Sequence, residues 1–140
     1  MRVAAWLVGG SESTTSLAAL VLRLGAGALL LFGHGWPKLV NYAERAPRFS
    51  DPVGLGPELG FALVVFAEVF CSLLVMAGAL TRLATIPPLV FFAIAGLVHH
   101  AADPWRQREL AFLFAVPFLA LLVLGPGRWS LDARWAARRP

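Results

Sequence analysis

Four apolar runs, at residues 17–36, 59–80, 83–98 and 110–124, constrain this chain more than any other feature. A helix crosses a bilayer with about 20 mostly apolar residues, and about 17 is the lower limit. The first two runs meet that length as they stand, and the others meet it with their flanks. In lipid every backbone N–H and C=O must find its partner inside the protein, which leaves helices or a closed barrel. Barrel strands alternate polar and apolar side chains, whereas these runs are continuous Leu, Ala, Phe and Gly. Of the 140 residues, 59% are hydrophobic and 14% charged, against about 45–50% and about 25% in a soluble domain. The predicted fold is all-α, an integral membrane four-helix bundle in a lipid bilayer.

The connections set its order. Thr81-Arg82 is a tight turn, so the second and third helices are antiparallel neighbours and the bundle runs up-down-up-down. Residues 41–58 hold Pro47, Pro52 and Pro57 and are long enough to fold back over the bundle mouth as a lid. Pro87-Pro88 and Pro117 are expected to bend the third and fourth helices. Gly125-Pro126-Gly127 ends the fourth. Beyond it, Ser130 is placed to cap a short interfacial helix carrying Arg134, Trp135, Arg138 and Arg139. The chain divides into an N-terminal tail (1–16), a transmembrane domain (17–128) and a basic interfacial C-terminal tail (129–140). Met1-Arg2 and the apolar residues 3–8 imitate a signal peptide. The run breaks at Gly9-Gly10-Ser11-Glu12 without a cleavage site, so an uncleaved tail is expected.

The formal charge of +4 does not point to nucleic acid, because the basic residues are scattered over short loops and the C-terminus. They orient the bundle instead. Arg2, Arg82, Arg128, Arg134, Arg138 and Arg139 lie at one end, and Lys38, Arg45, Arg48, Arg106 and Arg108 at the other. The excess is slight and favours cytoplasmic termini. Cys71 is the one cysteine, which excludes an internal disulfide and a CxxC redox pair.

Polar residues inside the apolar runs are the candidate site. A charge at the centre of a membrane helix costs about 2.5–3.5 kcal/mol on insertion scales, so Glu68 must face the bundle and find a partner, or be protonated. His34 and Lys38 stand one helical turn apart where the first run ends, and an i, i+4 pair shares a helix face. His99 and His100 end the third helix on the same side, and Glu109 begins the fourth there. Neighbours on a helix point about 100° apart, so one of His99 and His100 is expected to face the bundle. Glu68 is expected deeper, below them. Arg23 lies farther from this mouth and is expected to snorkel or pair locally. Haem ligation by paired histidines needs a cavity these mouth residues do not define. A di-metal bundle needs a Glu-x-x-His repeat that the chain lacks, so no metal site is predicted.

Arg23-Leu24-Gly25, His34-Gly35-x-x-Lys38, Glu68, Gly78-Ala79-Leu80-Thr81-Arg82, His99, Glu109 and Gly125-Pro126-Gly127-Arg128-x-Ser130-Leu131-Asp132 together resemble the DoxX family of small four-helix bacterial and archaeal membrane proteins. The family is similar to the membrane subunit of thiosulfate–quinone oxidoreductase. The resemblance implies a multi-pass cell-membrane subunit of a redox system, acting with soluble or membrane redox partners. It implies that a quinone or similar small apolar redox molecule binds within the bundle. His34 and Lys38 would hold its oxygen, and Glu68 with His99 or Glu109 would relay protons. No flavin, haem or iron–sulfur motif is present, so no intrinsic cofactor is expected and the electron donor would be another chain or a small molecule. Two other readings of the same residues stay open: a proton or small-solute transporter or channel, and a non-catalytic membrane anchor for soluble oxidoreductases. Whether the chain is catalytic alone, and whether it forms homo-oligomers, also stays open.

Overall fold

The computed structural model describes residues 11–138; the first ten residues of the expected 1–16 tail, with Arg2, and the contribution of Arg139 lie outside them. Four helices are long and apolar enough to cross a membrane: α1 (Glu12–Val40), α2 (Pro57–Ala77), α3 (Thr81–His99) and α4 (Trp105–Leu124). A short α5 (Leu131–Ala136) follows. No strand occurs among the described residues. α1 and α3 each pack between α2 and α4, so the chain runs up-down-up-down around a square. The integral membrane bundle expected from the sequence is the fold observed.

α1 starts ahead of its apolar run because Ser11 caps it, Oγ accepting from Thr14 N–H at 3.2 Å. α2 ends at Gly78, whose φ of +69° lets Ala79 N–H turn back to Leu74 O at 2.9 Å. The core between the four helices is filled by Leu30, Val75, Phe118 and Leu121, all at 0% exposure. Leu29, Val116 and Val123 point outward, 62–71% exposed. Such side chains around a whole girth suit hydrocarbon, since in water they would form an aggregation surface.

Three of the helices contain a π-helical turn: Leu31–Gly35 in α1, Phe66–Phe70 in α2 and Ala95–His99 in α3. In α1 the cause is local. Pro37 has no N–H, and its ring would collide with the carbonyl four residues back. A wider turn just before it, with Trp36 N–H reaching Leu31 O, accommodates the ring.

Glycines bring α1 and α2 together backbone to backbone. A Cβ on Gly35 would fall 2.7 Å from Glu68 O, and one on Gly27 3.2 Å from Ser72 O. Small residues at such crossings give membrane helices their packing contact.

The end of the bundle at the α2–α3 turn is locked by the C-terminal segment. Arg23 does not snorkel; it is 1% exposed and donates to Trp129 O at 2.6 Å and Met76 O at 3.4 Å. The Asp132 carboxylate accepts from Leu80 N–H at 2.7 Å and Thr81 N–H at 2.8 Å, capping the start of α3 from outside. Asp132 N–H closes the join on Gly78 O at 2.8 Å. Gly78 sits against the Arg23 guanidinium and leaves no room for a Cβ.

Two glycines two residues apart should respond oppositely to alanine. Gly35→Ala pushes a methyl into the Glu68 backbone and should cost about 1–3 kcal/mol. Gly33→Ala, where an added Cβ meets nothing within 4 Å, should raise stability by up to about 1 kcal/mol through helix propensity. Unfolding of both proteins in detergent reads the two signs.

Candidate functional site

Lys38 leaves the last turn of α1, and Glu68 sits in the π-helical turn of α2. The Lys38 ammonium donates to both Glu68 carboxylate oxygens, at 2.5 and 2.7 Å. The Glu68 side chain is 1% exposed and that of Lys38 21%. The carboxylate therefore lies behind the amine, and the pairing offsets the insertion cost of each charge. Lys38 Nζ also lies 5.5 Å from the centre of the Phe91 ring of α3, within cation–π range. Three helices thus meet at one ammonium.

That ammonium faces a cavity of about 610 Å³ between α2 and α3, within the ~300–1,000 Å³ of small-molecule sites. Its walls are mostly apolar, including Phe66, Pro87, Val90 and Phe91, with Lys38, Ser50, His99 and His100 supplying polar groups. Leu63, Phe66, Ile86 and Val90 line it while remaining 44–52% exposed on the outer face of the bundle. The cavity therefore opens sideways, toward lipid.

The connection from α1 to α2 covers its outer end, with Phe49, Ser50, Pro52, Val53 and Leu55 in the lining. Residues 42–48 are helical. The next stretch folds on itself, with the Asp51 carboxylate accepting from Leu55 N–H at 2.9 Å and Gly56 N–H at 2.7 Å. Phe49 pins this cover to α2 through Phe61, ring centres 5.7 Å apart. Ser50 Oγ meets His99 Nδ1 at 3.4 Å, joining the cover to α3.

Of the sequence candidates, Lys38 and Glu68 are bonded, and His99 lines the cavity. Glu68 is not merely below Lys38 but its direct partner. His34 goes elsewhere: its ring stands edge-on to Phe114 of α4, centres 5.2 Å apart, and is not in the lining. The shared face expected for His34 and Lys38 thus resolves into contacts with different neighbours. Both His99 and His100 reach the lining, not one of them. The 100° rule fails because His100 lies past the helix end, with φ −98° and ψ 18°, held by Asp103 at 2.6 Å. Glu109 is exposed on α4 and absent from the lining. Among the described residues no three His, Cys, Asp or Glu side chains converge as a metal site would need. Phe91 and Ser50 were not legible as site residues, since Phe91 is one of ten phenylalanines and Ser50 acquires its role only when the cover folds.

The fold and the paired charges define a multi-pass membrane bundle with a polar centre beside a lipid-facing cavity. The sequence profile of the DoxX family matches residues 18–101, and the chain belongs to that family. It is 31% identical to an uncharacterized membrane protein of Mycobacterium tuberculosis, over 86% of this chain and 83% of that protein. No solved structure matches at a significant level.

Breaking the pair from its two sides should give unequal costs. Lys38→Met strands Glu68 in apolar surroundings and should destabilise by about 3–5 kcal/mol. Glu68→Leu should cost less, because Lys38 can lean out to the cavity. The double variant should recover most of the Lys38→Met loss, a coupling measured by denaturant unfolding of all four proteins in detergent.

Proposed function

We propose that this chain is the membrane subunit of a redox system and binds a quinone or similar small apolar redox molecule in the α2–α3 cavity, working with partner proteins that supply electrons. The observation that carries this reading is the Lys38 ammonium. Glu68 holds two of its three N–H donors, and the residue lines a mostly apolar chamber. A carbonyl oxygen on an apolar ring system is the natural acceptor for the third. Phe66 and Phe91 offer flat faces for the ring, and the sideways opening suits a molecule dissolved in lipid. His99 and His100, at the covered end, are the groups through which protons would reach solvent. The slight basic excess counted along the sequence favours a reading in which this cover lies on the outer side of the membrane.

A channel has less in its favour. Beyond the ion pair the bundle axis is closed by Leu30, Val75, Phe118 and Leu121, and Arg23 is bonded into the locked end.

The test is binding of a short-chain quinone to the protein in nanodiscs. Lys38→Gln/Glu68→Gln removes both charges together and keeps a polar pair. It should fold and bind about ten- to a hundredfold more weakly, the worth of one charged hydrogen bond. His34→Phe, which keeps a ring against Phe114, should bind as wild type does. A folded double variant with unchanged affinity would remove Lys38 from the site.

A further inference from the structure

We propose that Lys38 and Glu68 form an exchangeable pair. On this view the cavity takes a weak acid, an acidic O–H carried on an apolar body, whose proton passes to Glu68 while its oxygen takes the place of Glu68 on Lys38. The inference rests on the site assignment above and narrows the ligand class to hydroxyl-bearing ring compounds such as hydroxyquinones.

The argument is one of charge. The pair sums to zero, and its acid half is 1% exposed. An anion entering alone would leave an uncompensated negative charge in low dielectric, which is costly. A neutral acid that surrenders its proton inside leaves the sum at zero before and after. The geometry supplies the order of events. Lys38 lines the cavity and Glu68 does not, so an incoming hydroxyl meets the ammonium first. Behind it, both Glu68 oxygens already accept from that ammonium. Lys38 can give one N–H proton to Glu68 and receive the ligand's, beginning and ending as an ammonium. The ligand O–H bond breaks and a Glu68 O–H bond forms; no electrons move.

Other titratable groups surround the pair. His34 of α1 lies against Phe114, Cys71 is buried one turn along α2, and His99 and His100 of α3 stand in the lining. α4 contributes no charged group to the lining. Glu68 alone among these is bonded to Lys38.

The test uses a 2-hydroxy-3-alkyl-1,4-naphthoquinone, whose acid and anion absorb at different wavelengths, with the protein in nanodiscs of neutral lipid. At a pH where the free probe is neutral, wild type should bind it with the spectrum of the anion and release no proton. Where the free probe is already ionised, binding should take up about one proton per ligand. Glu68→Gln should also bind the anion, but release about one proton in the first case and take up none in the second. His34→Phe, at a titratable residue outside the lining, should keep the wild-type proton counts. A bound probe with the neutral spectrum in wild type, equal counts in wild type and Glu68→Gln, or counts altered by His34→Phe would each overturn the exchange. The 2-methoxy analogue separates the two readings. If neither compound binds folded wild type, the cavity assignment itself fails. If the analogue binds and the bound probe stays neutral, only the exchange fails.

Discussion

The contact between Lys38 and Glu68 governs the half of the bundle that surrounds it. Two opposite charges within membrane helices are tolerable only if they touch, and these two touch only because α1 and α2 approach to backbone distance. Gly35 makes that approach, its missing Cβ leaving space for the Glu68 carbonyl. Four residues of one helix and one turn of the next are thus fixed by a single electrostatic requirement. The π-helical turns belong to the same arrangement. One accommodates Pro37 just ahead of Lys38, and the other holds Glu68 itself. Wide turns cost regular hydrogen bonding and are found where a side chain must be re-aimed.

The opposite end obeys a different rule. There Arg23, Gly78, Asp132 and the carbonyl of Trp129 are tied together by backbone and side-chain bonds. A buried guanidinium bonded to two backbone carbonyls, and a helix start capped by a carboxylate from a distant segment, make a rigid join. The polar residues within and beside the spans therefore fall into two groups. Arg23, Gly78 and Asp132 fasten one end, while Lys38 and Glu68 place an ion pair at the other.

The four spans, their order and the covering connection could be read directly from hydropathy and turn residues, because lipid leaves the backbone few alternatives. Glu68 and Lys38 were legible for the same reason: a charge in an apolar run must have a partner. Their pairing could be anticipated only as a convergence, since distance along a helix does not reveal which neighbour is close. His34 shows where that reasoning stops. Its i, i+4 spacing from Lys38 held no information about Phe114, which lies on the adjacent helix α4. Glu109 sat at the correct end of its helix but on an exposed face. The π-helical turns leave no periodic mark in sequences that are apolar on every side, so residues beyond them change phase without warning.

The cavity follows from how α2 and α3 are joined. At the locked end Leu80, with φ +49°, makes the turn between them tight, and Asp132 clamps it. Toward the other end Pro87 and Pro88 interrupt the bonding of α3, and π-helical turns interrupt both helices. The pair is held together at its base, and the cavity lies beyond that join, lined by Leu63, Phe66, Pro87 and Val90 of the two helices. Lys38 and Phe91, in cation–π contact, also line it, and the stretch pinned by Phe49 covers one end. What remains open is the flank between Leu63, Phe66, Ile86 and Val90, which faces lipid. On the proposed reading, a cavity with an ammonium in its lining, a covered end and a lipid-facing flank would take molecules that are apolar enough to reside in the bilayer and carry one oxygen able to meet that ammonium.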